Sequence, residues 1–279
     1  MTPLNVGAAL QISELPQFRD WLFEMDRDLE IQDFYSSAGI TGDWAPRVAE
    51  AKKTLDGFKG RMGIHGPFEG FTIDNDDPEF APVITRRMMT GLDICAALGA
   101  TQMVVHSPYT TWDYNNFGNN PRQDNVPSAR ERKIEAVHTV MRPVVARAAD
   151  QGVTLVIENI EDINPGDRME LADSFNSSAM KLSIDTGHAH YAHGSTGAPP
   201  VDYFVEHAGA KLDHVHIQDA DGYADRHWAP GQGTILWHSV FRALSALPVK
   251  PHLVLELRDA QHIPAAMAYL EGQGLAATA

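Results

Sequence analysis

Short apolar runs recur along the chain, each followed by a polar loop and then by a stretch in which apolar residues return at helical spacing. The runs cover residues 5–10, 30–35, 62–65, 102–106, 154–158, 181–185, 214–217 and 252–256, and they are rich in Val, Ile and Leu. Near-continuous apolar runs are what parallel strands buried on both faces look like, and their alternation with helices predicts repeated strand–helix–strand units. Helix signals fill the gaps. Ser128-Ala129-Arg130-Glu131 is a capping box that opens a helix stopping near Gly152. Gly99 follows a second helix, in which Ile84, Met88, Leu92 and Cys95 fall on one apolar face. Eight such units in 279 residues, with no linker or low-complexity tract, predict an α/β fold. The expected form is a single (β/α)8 TIM barrel spanning residues 1–279, in preference to an open doubly wound sheet.

That fold changes how the polar residues read. Most of the runs finish on a side chain capable of acid/base or metal chemistry: His65, His106, Glu158, Asp185 and Glu256 at their ends, and His216 near the end of the seventh. A barrel gathers the C-terminal ends of all its strands at one rim, where catalytic residues collect. A carboxylate directly after Thr154-Leu155-Val156-Ile157 goes against strand propensity and is costly to bury unpaired. Carboxylates and imidazoles crowded together repel or desolvate one another unless a cation neutralises them, which argues for a metal centre.

Composition narrows the partners. Hydrophobic residues make up 43%, enough for a full core, and no stretch of 18 apolar residues is present to span a membrane. Lys and Arg number 22 against 37 Asp and Glu, a formal charge of −15. Such a surface repels phosphate backbones, so no nucleic-acid partner is expected. One cysteine, Cys95, excludes an intrachain disulfide framework and suits a reducing cytoplasm. The start, Met1-Thr2-Pro3-Leu4-Asn5, does not read as a secretory signal, which also points to the cytoplasm. A homo-oligomer is compatible with all of this.

The chain resembles the xylose-isomerase-like barrels, a superfamily that includes sugar isomerases, sugar epimerases and endonuclease IV. The resemblance covers nearly the whole chain. It rests on Ile64-His65-Gly66-Pro67-Phe68, Val104-Val105-His106, Val156-Ile157-Glu158-Asn159, Ile184-Asp185-Thr186-Gly187-His188 and His214-Val215-His216, together with Asp225-Arg226-His227, Pro230-Gly231-Gln232-Gly233 and Leu255-Glu256. Each pattern is weak alone; their order and spacing make the match. By resemblance to the ketose 3-epimerases, Glu158, Asp185, His216 and Glu256 would hold one divalent ion, Mn²⁺ first, with Mg²⁺, Co²⁺ or Zn²⁺ as alternatives, and His188 would contact substrate. By resemblance to endonuclease IV, three Zn²⁺ ions would also engage His65, His106, His188, Asp225 and His227. No basic, intercalating loop set of the kind that bends a duplex is present.

The long segment 108–125 carries Tyr109, Trp112, Tyr114 and Phe117 among amides and hydroxyls, a mixture suited to a neutral polyhydroxylated ligand. Trp112, His65 and His106 are therefore expected to bind substrate, and Arg226 and Arg258 to meet any anionic group on it. Asp221-Gly222-Tyr223 and Gly231-Gln232-Gly233 read as turns, and His190, His193 and His207 as bystanders. The expected reaction is isomerisation or epimerisation of a sugar or polyol-derived keto compound. Glu158 and Glu256 would move the proton beside the carbonyl, with His188 and His65 orienting hydroxyls. Keto-polyol dehydration and multinuclear zinc hydrolysis are the alternatives.

Overall fold

The computed structural model describes residues 2–119 and 126–279. Eight parallel strands close a barrel in sequence order: β1 Gly7–Leu10, β2 Leu29–Ile31, β3 Met62–His65, β4 Gln102–His106, β5 Thr154–Glu158, β6 Met180–Asp185, β7 Leu212–Ile217 and β8 His252–Leu255. Each strand pairs with the next, and β1 pairs with β8 to complete the circle. The second apolar run is the one whose end the sequence misplaces. β2 stops at Ile31 rather than running to residue 35. The Asp33 carboxylate accepts the Ile12 N–H at 2.7 Å, drawing the chain out of the sheet, and the buried Phe34 packs into the apolar core.

Pleating sends alternate side chains to opposite faces. Leu155 and Ile157 of β5, Ile184 of β6 and Val215 and Ile217 of β7 pack under the helices in one continuous apolar core. The intervening positions, Val156 and Glu158 on β5 and His214 and His216 on β7, therefore turn to the barrel interior. Each fully buried aliphatic side chain contributes about 1.5–3 kcal/mol, so the outer faces fix the register of the inner ones.

The helices behave as their caps dictate. Ala81–Leu98 buries Ile84, Met88, Leu92 and Cys95 and ends at Gly99, whose φ of 81° suits a residue without Cβ. Ala129–Gln151 starts at the reciprocal Ser128/Glu131 capping box and stops at Gly152 with φ 70°. Within segment 108–125, Thr110 and Asp113 cap a helix over Thr111–Asn116; residues 120–125 lie outside the described residues. No helix among the described residues is long and apolar enough to cross a membrane.

The interior departs from the usual filling of branched apolar layers. Glu30, Gln102, Ser183, His214 and His252 are all buried in or beside it. Polarity thus runs from the floor of the barrel to its upper rim.

Candidate metal centre

The strand registers set neighbouring functional side chains level with one another. His106 on β4 pairs with Glu158 on β5, Asp185 on β6 with His216 on β7, and Ile217 with Leu255 one step before Glu256. One ligand atom from each of Glu158, Asp185, His216 and Glu256 lies within 4.8 Å of the others. The same spacing unites His65, His106 and Glu158 in a second group, and His188, Asp225 and His227 in a third. All nine residues singled out from the sequence therefore gather around one rim.

Their electrostatics are unbalanced in one direction. Glu158 Oε2 and Asp185 Oδ2 are buried with no hydrogen-bond partner. The imidazole nitrogens of His106 and His65 stand 3.6 and 3.7 Å from Glu158 Oε2, beyond hydrogen-bond range. No lysine or arginine makes an ion pair with Glu158, Asp185 or Glu256 among the described residues. Burial pushes the Glu158 carboxyl up, yet the His216, His106 and His188 imidazoles pull it well below its ordinary value. Burial raises Asp185 to about 6, against the pull of His188. Burial opposes charge on His216 and His188 too, but Glu256, Glu30 and Glu158 around the first and Asp185 and Asp225 around the second hold both well above the usual histidine range. His106, mainly desolvated, falls to about 3. The His188 and His216 imidazoles are thus the groups that stand against carboxylates that no lysine or arginine pairs with. Two orphaned, buried carboxylate oxygens aimed at one point, in a set of three carboxylates and one imidazole, fit a divalent cation.

Local structure holds the cluster rigidly. Asp185 caps helix Thr186–Thr196 by accepting the His188 N–H at 2.6 Å through Oδ1, which leaves Oδ2 pointing inward. Asn159 locks the adjoining strand ends, its Oδ1 accepting the Asp185 N–H at 2.9 Å and its Nδ2 donating to the Asp185 carbonyl at 3.0 Å. Gln218 donates to Asp185 Oδ1 at 3.1 Å and to Asp225 Oδ1 at 2.9 Å, and accepts the His227 N–H at 2.8 Å. Gly187 makes room for it, because a Cβ there would meet the Gln218 amide at 2.2 Å. His227 sits at φ 50°, a left-handed conformation that costs a non-glycine residue energy and is kept by these bonds.

A cavity of about 560 Å³ opens onto the cluster, lined by Glu158, His188, Glu256, His65, His106, Asp225 and His227 and also by Gln11, Gln32, Tyr35, Phe68 and Arg258. Of the expected substrate contacts, His65, His106 and Arg258 line it. Arg226 does not: its guanidinium grips Asp221 at 2.8 and 3.0 Å and lies over the Trp228 and Tyr223 rings. Trp112 is 75% exposed and also lies outside the cavity lining. Neither His190 nor His193 nor His207 lines it. Glu30, Gln32 and Gln218 carry no expectation from the sequence, and neither do Gln11 and Tyr35 of the cavity wall. Glu30 has a usable signal, a carboxylate between Leu29 and Ile31 inside a strand, the same anomaly that marks Glu158.

A family model described as xylose isomerase-like TIM barrel matches residues 26–277. Among solved structures, the TTHB071 protein from Thermus thermophilus, soaked with ZnCl2, is 23% identical with a TM-score of 0.69, covering 96% of this chain and 97% of that one. A D-tagatose 3-epimerase-like protein is 18% identical with a TM-score of 0.73, covering 96% of each chain. The 3-keto-D-glucoside 4-epimerase from E. coli is 17% identical with a TM-score of 0.70, covering 96% of this chain and 99% of that one. At these identities the likeness shows a shared fold.

Proposed function

The chain belongs to the xylose isomerase-like TIM-barrel family, and from that premise we propose that it is a divalent-metal-dependent isomerase or epimerase of a sugar or polyol-derived keto compound. The observation that carries this reading is the pair of carboxylates Glu158 and Glu256 converging with Asp185 and His216, with two buried oxygens of the group lacking any partner. These four residues would hold the ion. Bound there, a divalent ion supplies Lewis acidity toward a sugar carbonyl and a template for the neighbouring hydroxyl.

The chain's own residues account for the rest. Either Glu158 or Glu256 takes the proton from the carbon beside the carbonyl, and the other returns one to the opposite face or the next carbon. One C–H bond breaks and one forms, with no net oxidation. Positioned proton transfer of this kind contributes roughly 10²–10⁴-fold per group. His188, hydrogen-bonded through Nδ1 to the Asn159 carbonyl at 2.9 Å, presents its other nitrogen towards Asp225 and the cavity. It orients substrate hydroxyls there, with His65. Phe68, stacked on His106 with ring centroids 3.8 Å apart, and Tyr35, stacked on Phe68, offer the aromatic wall that a sugar's apolar face favours. Loss of a hydroxyl from the same deprotonated substrate would make the enzyme a dehydratase.

A second reading, hydrolysis of an ester by a multinuclear zinc centre, is favoured by the two further ligand groups at the same rim. Two measurements on the purified protein separate the readings. Elemental analysis with one Mn²⁺, Mg²⁺ or Co²⁺ per chain, and deuterium incorporation from D2O beside the carbonyl of a ketose in a small panel, are the expected results. Three tightly held zinc ions and no exchange with any ketose would instead establish the hydrolase.

A further inference from the structure

β2 reaches the rim without a place in the four-residue ligand group, yet it carries an almost fully enclosed carboxylate beneath it. Glu30 is 2% exposed and sits between two imidazoles. His216 Nε2 donates to Glu30 Oε1 at 3.0 Å, while Nδ1 of the same ring faces Glu158 at 2.9 Å and Glu256 at 3.4 Å. Glu30 Oε2 lies 3.0 Å from His214 Nε2, off the hydrogen-bond direction, and His214 Nδ1 is anchored by Ser183 Oγ at 2.8 Å. Two residues along, on the same face of the chain, Gln32 Nε2 donates to Glu30 Oε1 and to Glu256 Oε1, both at 2.9 Å. We propose that Glu30 and Gln32 form a positioning platform that orients two of the four ligand side chains, His216 and Glu256, toward the ion. The proposal rests on the metal-centre reading above and extends it to residues that do not touch the ion.

An imidazole gives a lone pair from only one nitrogen at a time, and the hydrogen bond at the other nitrogen decides which. Glu30 accepts the proton at Nε2, so the Nδ1 proton, which faces Glu158 and Glu256, is the one an ion would replace, and the lone pair it uncovers points at the ligand group. A buried carboxylate at Nε2 also makes the ring a stronger donor than a carbonyl would. Gln32 then ties Glu256 to the same support: its amide spans the two carboxylates, fixing the rotamer of Glu256 and screening its repulsion from Glu30. Glu30 is held deep in the barrel, where its carboxylate lies within 4.8 Å of ligand nitrogens of both His214 and His216. Its partners are the two imidazoles and Gln32, with no lysine or arginine in an ion pair with it.

The test is titration of the metal-stripped full chain with Mn²⁺, followed by calorimetry, alongside thermal unfolding without metal. Glu30→Gln and Gln32→Met keep the volume and remove the charge or the amide. Gln102→Met, which cuts the part-buried Gln102–Asp213 bonds at the floor of the barrel, serves as the control for a structural lesion of similar kind. The expected result is a Mn²⁺ Kd weakened about 10–100-fold in Glu30→Gln and less in Gln32→Met. The control should lower the melting temperature with an unchanged Kd. Wild-type affinity in Gln32→Met, or in a folded Glu30→Gln, would overturn the platform while leaving the metal centre standing. Should Glu30→Gln not fold, the Gln32→Met titration decides alone. Failure of the wild type itself to bind Mn²⁺ or Zn²⁺ would overturn both ideas, and that outcome is distinct from the first.

Discussion

The floor and the rim of this barrel are made by the same strands and are both polar, but they treat buried charge in opposite ways. At the floor, the Asp28 carboxylate takes two hydrogen bonds from Arg61 at 2.7 and 2.6 Å and one from the Leu253 N–H at 3.1 Å. Asp213 receives Lys181 at 2.7 Å and Gln102 at 3.0 Å. Both carboxylates there meet a fixed counterpart. At the rim, Glu158 and Asp185 are at least as deeply buried and each keeps an oxygen without a partner. A fold that pairs its carboxylates so completely at one end has the means to do so at the other. The contrast teaches that an internally satisfied polar cluster serves the structure, whereas one left short of positive charge is shaped for something brought in from outside.

The largest expected effect that tests this contrast lies at the rim. Glu158→Gln should lower the deuterium-exchange rate by about 10³-fold or more, since the carboxylate is both proposed ligand and proposed base. Its melting temperature without added metal should move little, because the change removes one charge from a cluster that has too many. Exchange within tenfold of wild type would take Glu158 out of the chemistry. A collapse in metal-free stability would mean that the rim, like the floor, is a structural cluster.

The mirror-image experiment is Arg61→Ala. It strands a carboxylate that is almost fully buried, and about half of the arginine is already in water, so the cost should be about 2–3 kcal/mol rather than the larger loss seen for wholly buried pairs. Urea denaturation measures it. Exchange per folded molecule should stay at the wild-type level. Stability unchanged within experimental error would show that the floor network is not what holds this end together.

The two ends were also unequally legible in the sequence. The barrel could be read because continuous apolar runs and capping boxes are local signals, and Ser128 with Glu131, Gly99 and Gly152 each did what local chemistry dictates. The rim residues could be gathered because the barrel converts strand ends into neighbours. Glu30 and Gln32 escaped notice because chemistry was sought where runs end, and Glu30 opens the run at 30–35. The true strand, Leu29–Ile31, is set by a tertiary bond from Asp33 to Ile12. Gln218 was invisible for another reason: an uncharged amide after a strand has no anomaly until its three partners are seen. Arg226 looked free because its partner Asp221, five residues earlier, meets it only through the fold of the loop.

The smallest effect sharpens the comparison within one residue type. His252, at the start of β8, is 7% exposed and burial drives its pKa down to about 4, helped by Arg61 and His214 and resisted by Asp28 and Asp213. The rim imidazoles His188 and His216 are desolvated too but are pulled upward by the carboxylates around them. Below the ordinary histidine value of 6.5 the unfolded chain takes a proton at His252 that the folded protein refuses until about pH 4. Between those values the unfolded state binds more protons, so this residue's contribution is fully present above pH 6.5 and is lost as the pH falls toward 4. Comparing pH 7 with pH 5, the loss from this one site amounts to about 1–2 kcal/mol. His252→Gln, which cannot titrate, should therefore be relatively more stable than wild type at pH 5 than at pH 7 by that amount, as read from urea midpoints at the two values. A wild-type difference between pH 7 and pH 5 that the variant reproduces in full would show that His252 is protonated at the floor after all. The distinction between a floor that leaves no buried charge unpaired and a rim that gathers it would then fail for histidine.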